Sequence, residues 1–149
     1  MSIFTGLNIS ASGMTAQQIR MDIISQNIAN VDTTRTEYGT PYRRKNVVFA
    51  EKSNSRLSSF GNALTAATKS IAGQGVKVTR IIEDTKTAMK RAYDPSHPDA
   101  DENGYVTYPN VNPITEMTDL IDATRSYEAN ITAFNATKAM LAKGLEVGK

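Results

Sequence analysis

The stretch PITEMTDLIDATRSYEANITAFNATKAMLAKGL, residues 113–145, decides the fold. Within it Met117, Leu120, Thr124, Tyr127, Ile131, Phe134, Lys138, Leu141 and Leu145 recur at alternating steps of three and four, the spacing of a helix that packs along another helix. Asn112 suits the N-cap and Pro113 the first helical position, while Glu116, Asp119 and Asp122 sit near the positive end of the helix dipole. Such a helix is ~50 Å long, whereas a compact chain of this size is only about 38 Å across. It therefore needs a partner of similar length.

The only candidate lies at the other end. From Ile3 to Val31 the apolar positions Phe4, Leu7, Ala11, Met14, Met21 and Ile28 keep heptad step, with Ile24 and Val31 beside them. Between Ser2 and Val31 only Arg20 and Asp22 are charged, so this helix reads as covered by protein on most sides. Gly6 and Gly13 each weaken it by up to ~1 kcal/mol relative to alanine, which predicts poor order before assembly. A left-handed exit at Asn27 or Asn30 is expected to end it.

The chain has 149 residues, 40% of them hydrophobic, no tryptophan and a net charge of +2, which allows one modest core. So small a charge predicts no nucleic-acid partner, and no apolar run is long enough for membrane insertion. Zero cysteines exclude disulfides, thiolate metal sites and cysteine nucleophiles. The first residues lack a basic region and a continuous apolar core, so no cleaved signal peptide is expected.

Between the helices, Tyr42 to Ala50, Gly75 to Glu83 and Thr87 to Tyr93 read as strands, and residues 53–75 as a flexible segment. The prolines and Asn103-Gly104 within Asp94 to Asn112 predict an extended path with one tight turn. The expected fold class is α+β: long N- and C-terminal helices paired as a coiled-coil-like unit, with a small β-rich and loop-rich middle placed outside it. The expected division is a helical assembly domain, residues 1–34 with 111–149, and a β-rich domain, 35–110. Leu7, Met14, Met21 and Ile28, with Leu120, Tyr127, Ile131, Phe134 and Leu141, are the expected helix-packing residues.

Two sequence blocks carry a resemblance: SQNIANVDTT, with Asn27, Ala29, Asn30 and Thr33, and RSYEAN, with Tyr127, Glu128 and Asn130. They are similar to the terminal signatures of the flagellar basal-body rod and hook proteins. PYRRK at Pro41, YDP at Tyr93 and the run through His97, Gly104 and Asn112 resemble the C-type proximal rod subunits. Arg35, Thr36 and Glu37 depart from the glycine and aromatic often found there. The resemblance implies a structural, non-enzymatic subunit with no cofactor, polymerised into the proximal rod that passes motor torque toward the hook. Implied partners are its own copies, other rod subunits, neighbouring basal-body axial proteins and the flagellar type III export apparatus. The implied location is the basal body, beyond the cytoplasmic membrane.

One alternative is another axial subunit of the same family. A second is a calcium-binding module, because Asp99, Asp101, Asn103 and Gly104 match the start of a calcium loop, although Asn110 replaces the final glutamate. His97, the only histidine, reads as a loop residue rather than a catalytic base. Arg43, Arg44 and Lys45 read as an intersubunit contact to acidic neighbours or a solvated strand end.

Overall fold

Asn112 caps the C-terminal helix as its position demands: its Oδ1 accepts from the Ile114 N–H at 3.2 Å, and its carbonyl accepts from the Glu116 N–H. The computed structural model describes residues 3–52 and 75–147. Their elements are α1 (Ile3–Ala29), β1 (Lys45–Glu51), β2 (Val76–Glu83), β3 (Lys90–Tyr93), β4 (Tyr105–Tyr108) and α2 (Pro113–Val147). The architecture is α+β, two long terminal helices packed together with small antiparallel strand pairs between them. The flexible segment expected at 53–75 lies, except for Gly75, outside the described residues.

β1 and β2 form one antiparallel ribbon, from Lys45 opposite Glu83 to Glu51 opposite Val76. A bulge interrupts it where Val48 pairs Arg80 and Phe49 pairs Val78. The extra residue, Thr79, donates its hydroxyl to the Val48 carbonyl at 3.0 Å. β1 starts at Lys45 and not at Tyr42, because Tyr42 turns inward and its N–H bonds the Thr33 carbonyl. α1 lies between α2 and this ribbon, so its near-absence of charge is explained on two of its sides.

β3 and β4 form the second ribbon, Lys90 opposite Tyr108 and Tyr93 opposite Tyr105. Its chain reversal ends at Gly104, whose φ of 78° favours glycine. The run Asp94 to Asn112, expected as an extended path with one tight turn, contains that turn at Gly104 and then β4, and it also holds some of the most buried residues. Val106 packs inward from β4, and Pro109, Asn110 and Val111 are buried in the link from β4 to α2, where Asn110 bonds Arg44, Asp84 and Thr87.

The exit of α1 also corrects an expectation. No non-glycine residue among those described has positive φ, so neither Asn27 nor Asn30 is left-handed. The chain leaves through a tightened right-handed turn, with Val31 N–H on the Ile28 carbonyl and Thr33 N–H on the Asn30 carbonyl. Asn30 holds this turn, donating to the Gln26 carbonyl at 2.8 Å and accepting from the Thr33 hydroxyl at 3.1 Å.

Candidate assembly site

The paired helices keep one register over their whole overlap. Gly6 faces Thr137, Gly13 faces Asn130, and Asn27 reaches Glu116, each step being one or two heptads along antiparallel helices. On α2 the inward line is Glu116, Leu120, Ala123, Tyr127, Asn130, Phe134, Thr137 and Leu141. Four of the nine expected seam positions therefore lie on this line, at Leu120, Tyr127, Phe134 and Leu141. The others are displaced: Met117, Thr124, Lys138 and Leu145 are exposed, Ile131 is half-buried on the flank, and small or polar side chains face α1 instead.

The reason lies on α1. Its inward positions include Gly6, Ser10, Gly13 and Ala16, and such small residues let the backbones approach closely. Bulkier side chains cannot fit opposite them. Leu7, Met14, Met21 and Ile28 accordingly stand half-buried beside the seam, with Met21 Sδ touching the Thr124 hydroxyl at 3.5 Å. Gly6 and Gly13, read from sequence only as weakening a helix, are spacers; their heptad separation was the available signal.

The strand end of the hairpin is closed by a polar network. Asn27 is 1% exposed and uses its whole hydrogen-bonding capacity. Its amide donates to the Lys45 carbonyl (2.9 Å) and to Glu116 Oε2 (3.0 Å), and its Oδ1 accepts from the Tyr42 hydroxyl and the Lys45 N–H, both at 2.9 Å. Glu116, 0% exposed, takes its charge partner from Arg44 Nε at 2.5 Å. Arg44 also reaches Asp119 at 3.3 Å, and Arg20 meets Asp119 from α1 at 3.5 Å. Arg44 thus serves inside the chain, not toward an acidic neighbour as its sequence context suggested. Burial, reinforced by the charges of Glu116 and Glu83, raises the Tyr42 phenol above its ordinary pKa, which keeps it protonated as a donor to Asn27.

Asn110 performs the same task one layer further out. Its Oδ1 accepts from the Arg44 N–H, and its amide donates to the carbonyls of Asp84 and Thr87. The two strand ribbons and both helices are therefore tied through Asn27, Arg44, Asn110 and Glu116. Sequence reasoning placed Asn27 at a helix exit and Glu116 at a dipole; their contact, 89 positions apart in the chain, carried no local signal. Of the remaining motif residues, Ala29 and Glu128 are exposed, Thr33 is held by Asn30, and Asn130 donates to the Ser126 carbonyl while facing Gly13.

The loop considered for calcium has its acids committed elsewhere. Asp101 Oδ1 accepts from the Asn103 and Tyr105 N–H groups and its Oδ2 from Arg91, while Asp99 meets Thr34 and Arg35. Among the described residues, no group of three or more His, Cys, Asp or Glu side chains could hold a metal ion. His97 Nδ1 accepts from the Asp99 N–H at 3.1 Å, and its ring stands edge-on to Tyr108, so it organises the loop. No helix among the described residues is long and apolar enough to cross a membrane.

Residues 7–35 match the family described as "Flagella basal body rod protein", and residues 102–147 the one described as "Flagellar basal body rod FlgEFG protein C-terminal". The two matches cover most of α1 with its exit, and β4 with α2. The flagellar basal-body rod protein FlgC of Bacillus subtilis is 50% identical, with 100% of both chains covered. Its counterpart in Borreliella burgdorferi is 44% identical over 99% of this chain and 98% of its own, and that of Salmonella typhimurium 37% identical over 100% of each. Relatives that align from end to end, and family signatures that fall on the paired helices, show that the chain belongs to the FlgC group of flagellar basal-body rod proteins and is a structural subunit of the rod.

Proposed function

We propose that the chain builds the proximal part of the rod by polymerising through α1 and α2, and that the resulting shaft transmits torque toward the hook. The observation that carries this reading is the mismatch between a small core and a long helical hairpin that leaves Phe4, Ile114, Met117, Ile121, Met140 and Leu145 exposed. Apolar residues at helical spacing on an open face mark an interaction surface. Packed helices running along a shaft resist twist, since many side-chain contacts must shear together.

In this reading residues 1–34 and 111–149 form the assembly domain, and 35–110 the β-rich domain outside it. The helix-packing residues from Leu7 to Ile28 and from Leu120 to Leu141 serve the hairpin and its neighbours. The subunit is non-catalytic, its partners are its own copies and adjoining axial proteins, and it leaves the cytosol through the flagellar type III apparatus without a cleaved signal. Deletion of residues 1–20 should abolish incorporation into purified basal bodies, read by immunoblot, while secretion of the intact chain requires the type III apparatus. Normal incorporation of the truncated chain would overturn the assignment of assembly to the helices. Co-purification with hook in place of motor-proximal components would move the subunit elsewhere along the axis.

A further inference from the structure

Two largely apolar stripes flank the hairpin's own seam and leave side chains uncovered, although Thr124 at the end of one of them touches Met21 of the same chain. On α1, Gly6 and Gly13 face α2, and Ile9 and Ser12 face the start of β2, where Val76 N–H bonds Ser12 Oγ at 3.1 Å. Helical geometry puts Phe4, Leu7, Ala11 and Met14 on the remaining side. Phe4 is 68% exposed and the other three are half-buried. On α2, Ile114 (77% exposed), Met117 (53%), Ile121 (53%) and Thr124 are related to Glu116, Leu120 and Ala123 in the same way. One stripe occupies each end of the hairpin.

We infer that the α1 stripe of one copy packs against the α2 stripe of a second copy, with the helices antiparallel. This rests on the reading of the chain as a rod subunit. The steps along Phe4, Leu7, Ala11 and Met14 are the same as those along Thr124, Ile121, Met117 and Ile114 read in reverse. Met14 therefore meets Ile114, Ala11 meets Met117, Leu7 meets Ile121, and Phe4 meets Thr124, as in the layers of an antiparallel coiled coil. Sizes alternate usefully: Ala11 makes room for Met117, and Thr124 for Phe4. From Ile3 to Ile19 α1 carries no charge, so Asp122 and Arg125 beside the α2 stripe meet nothing that repels them.

The register differs from the intramolecular one by about fifteen residues, which moves the second copy by about 22 Å along the helix axis. Because the contact is antiparallel, both copies point the same way. A contact that joins opposite ends with a shift does not close on itself and leaves both outer stripes free for the next copy. Four layers of side chains cover far less than the roughly 1,000 Å² that a stable pair of free proteins needs, so the contact acts in a growing rod and not between dissolved monomers.

The chain has no cysteine, which allows a direct test. Leu7→Cys with Ile121→Cys, and separately Ala11→Cys with Met117→Cys, should give disulfide-linked ladders of the chain when basal bodies are mildly oxidised. Leu7→Cys with Glu128→Cys should give none. Within one copy Leu7 and Ile121 lie about 22 Å apart along the axis, so a bond between them reports a second copy. A ladder from the control pair alone, cross-links only to a different axial protein, or assembled rods without ladders would each overturn the inference. As a second measurement, Ile121→Lys should block incorporation without altering the circular dichroism of the monomer, and adding Leu7→Glu should restore it; no restoration counts against the register. Immunoblots of basal bodies for the unaltered chain separate the two levels: its absence there sinks the rod reading, whereas its presence without ladders sinks only this contact.

Discussion

Gly13 lies so close to Asn130 that a Cβ built on the glycine would stand 2.6 Å from Asn130 Oδ1 and 2.9 Å from its Cγ. Asn130 cannot swing away freely, because its amide donates to the Ser126 carbonyl. Helix propensity alone would make Gly13→Ala stabilising by about 1 kcal/mol, whereas overpacking costs about 1–3 kcal/mol. Packing wins: Gly13→Ala should lower the thermal midpoint, and Gly13→Ala with Asn130→Ala should recover it. A stabilised single variant would show that the helices do not approach this closely in solution.

Loss of Asn27 takes a hydrogen-bond partner from four groups at once, among them the buried carboxylate of Glu116, which is left with Arg44 alone. Asn27→Ala should cost about 3 kcal/mol in urea unfolding. Asn27→Asp, nearly the same size, should be worse at neutral pH, since it sets a second carboxylate against Glu116 and removes the donors to Glu116 and Lys45. The deficit of the aspartate variant should shrink in acid. Equal stability of the two variants at neutral pH would contradict the network.

Tyr42 supplies an alkaline signature. Its phenol is raised chiefly by burial and then by Glu116 and Glu83, so its folded pKa exceeds its unfolded one. The associated stability is complete below the ordinary tyrosine value of about 10 and is lost as pH rises through the folded value. Ultraviolet titration should show one of the six tyrosines ionising late, together with the onset of unfolding, and Tyr42→Phe should remove that late phase. A single common midpoint for all six would refute the assignment.

Acid acts on the turns. Asp101 is held below the usual carboxylate range chiefly by the Tyr105 N–H, with Asn103 and Arg91 adding; Asp84 is lowered first by the Thr87 hydroxyl and Asp94 first by that of Ser96. Their support is therefore present above about pH 4 and fades as pH falls through the lower folded values. The amide resonances of Asn103 and Tyr105 should shift together at a midpoint below that of a free aspartate, and Asp101→Asn should abolish the transition. A midpoint at or above the free value would show that these bonds do not form in solution.

What the sequence read well was periodic. The helix from Pro113, the second helix ending near Asn30, and two strands separated by a break all follow from spacing, caps and turn residues, which act within a few positions of one another. The terminal blocks around Asn27 and Glu128 also pointed to the family. The seam was read one residue off at every second position because a pattern of apolar residues does not say which stripe faces the partner within the chain. Here Gly6, Gly13 and Ala16 decide it, by allowing an approach that Met14 and Met21 would block.

The sequence by itself determined that there are two long helices, where each begins and ends, and that their apolar positions exceed what one hairpin can hide. Only the tertiary structure decided which side of each helix turns inward and that Asn27, Tyr42, Arg44 and Glu116 share one buried network. The physical reason is range: helix periodicity and capping are set by neighbours along the chain, whereas a hydrogen bond between residues 89 positions apart exists only once the backbones have closed to the distance the glycines permit.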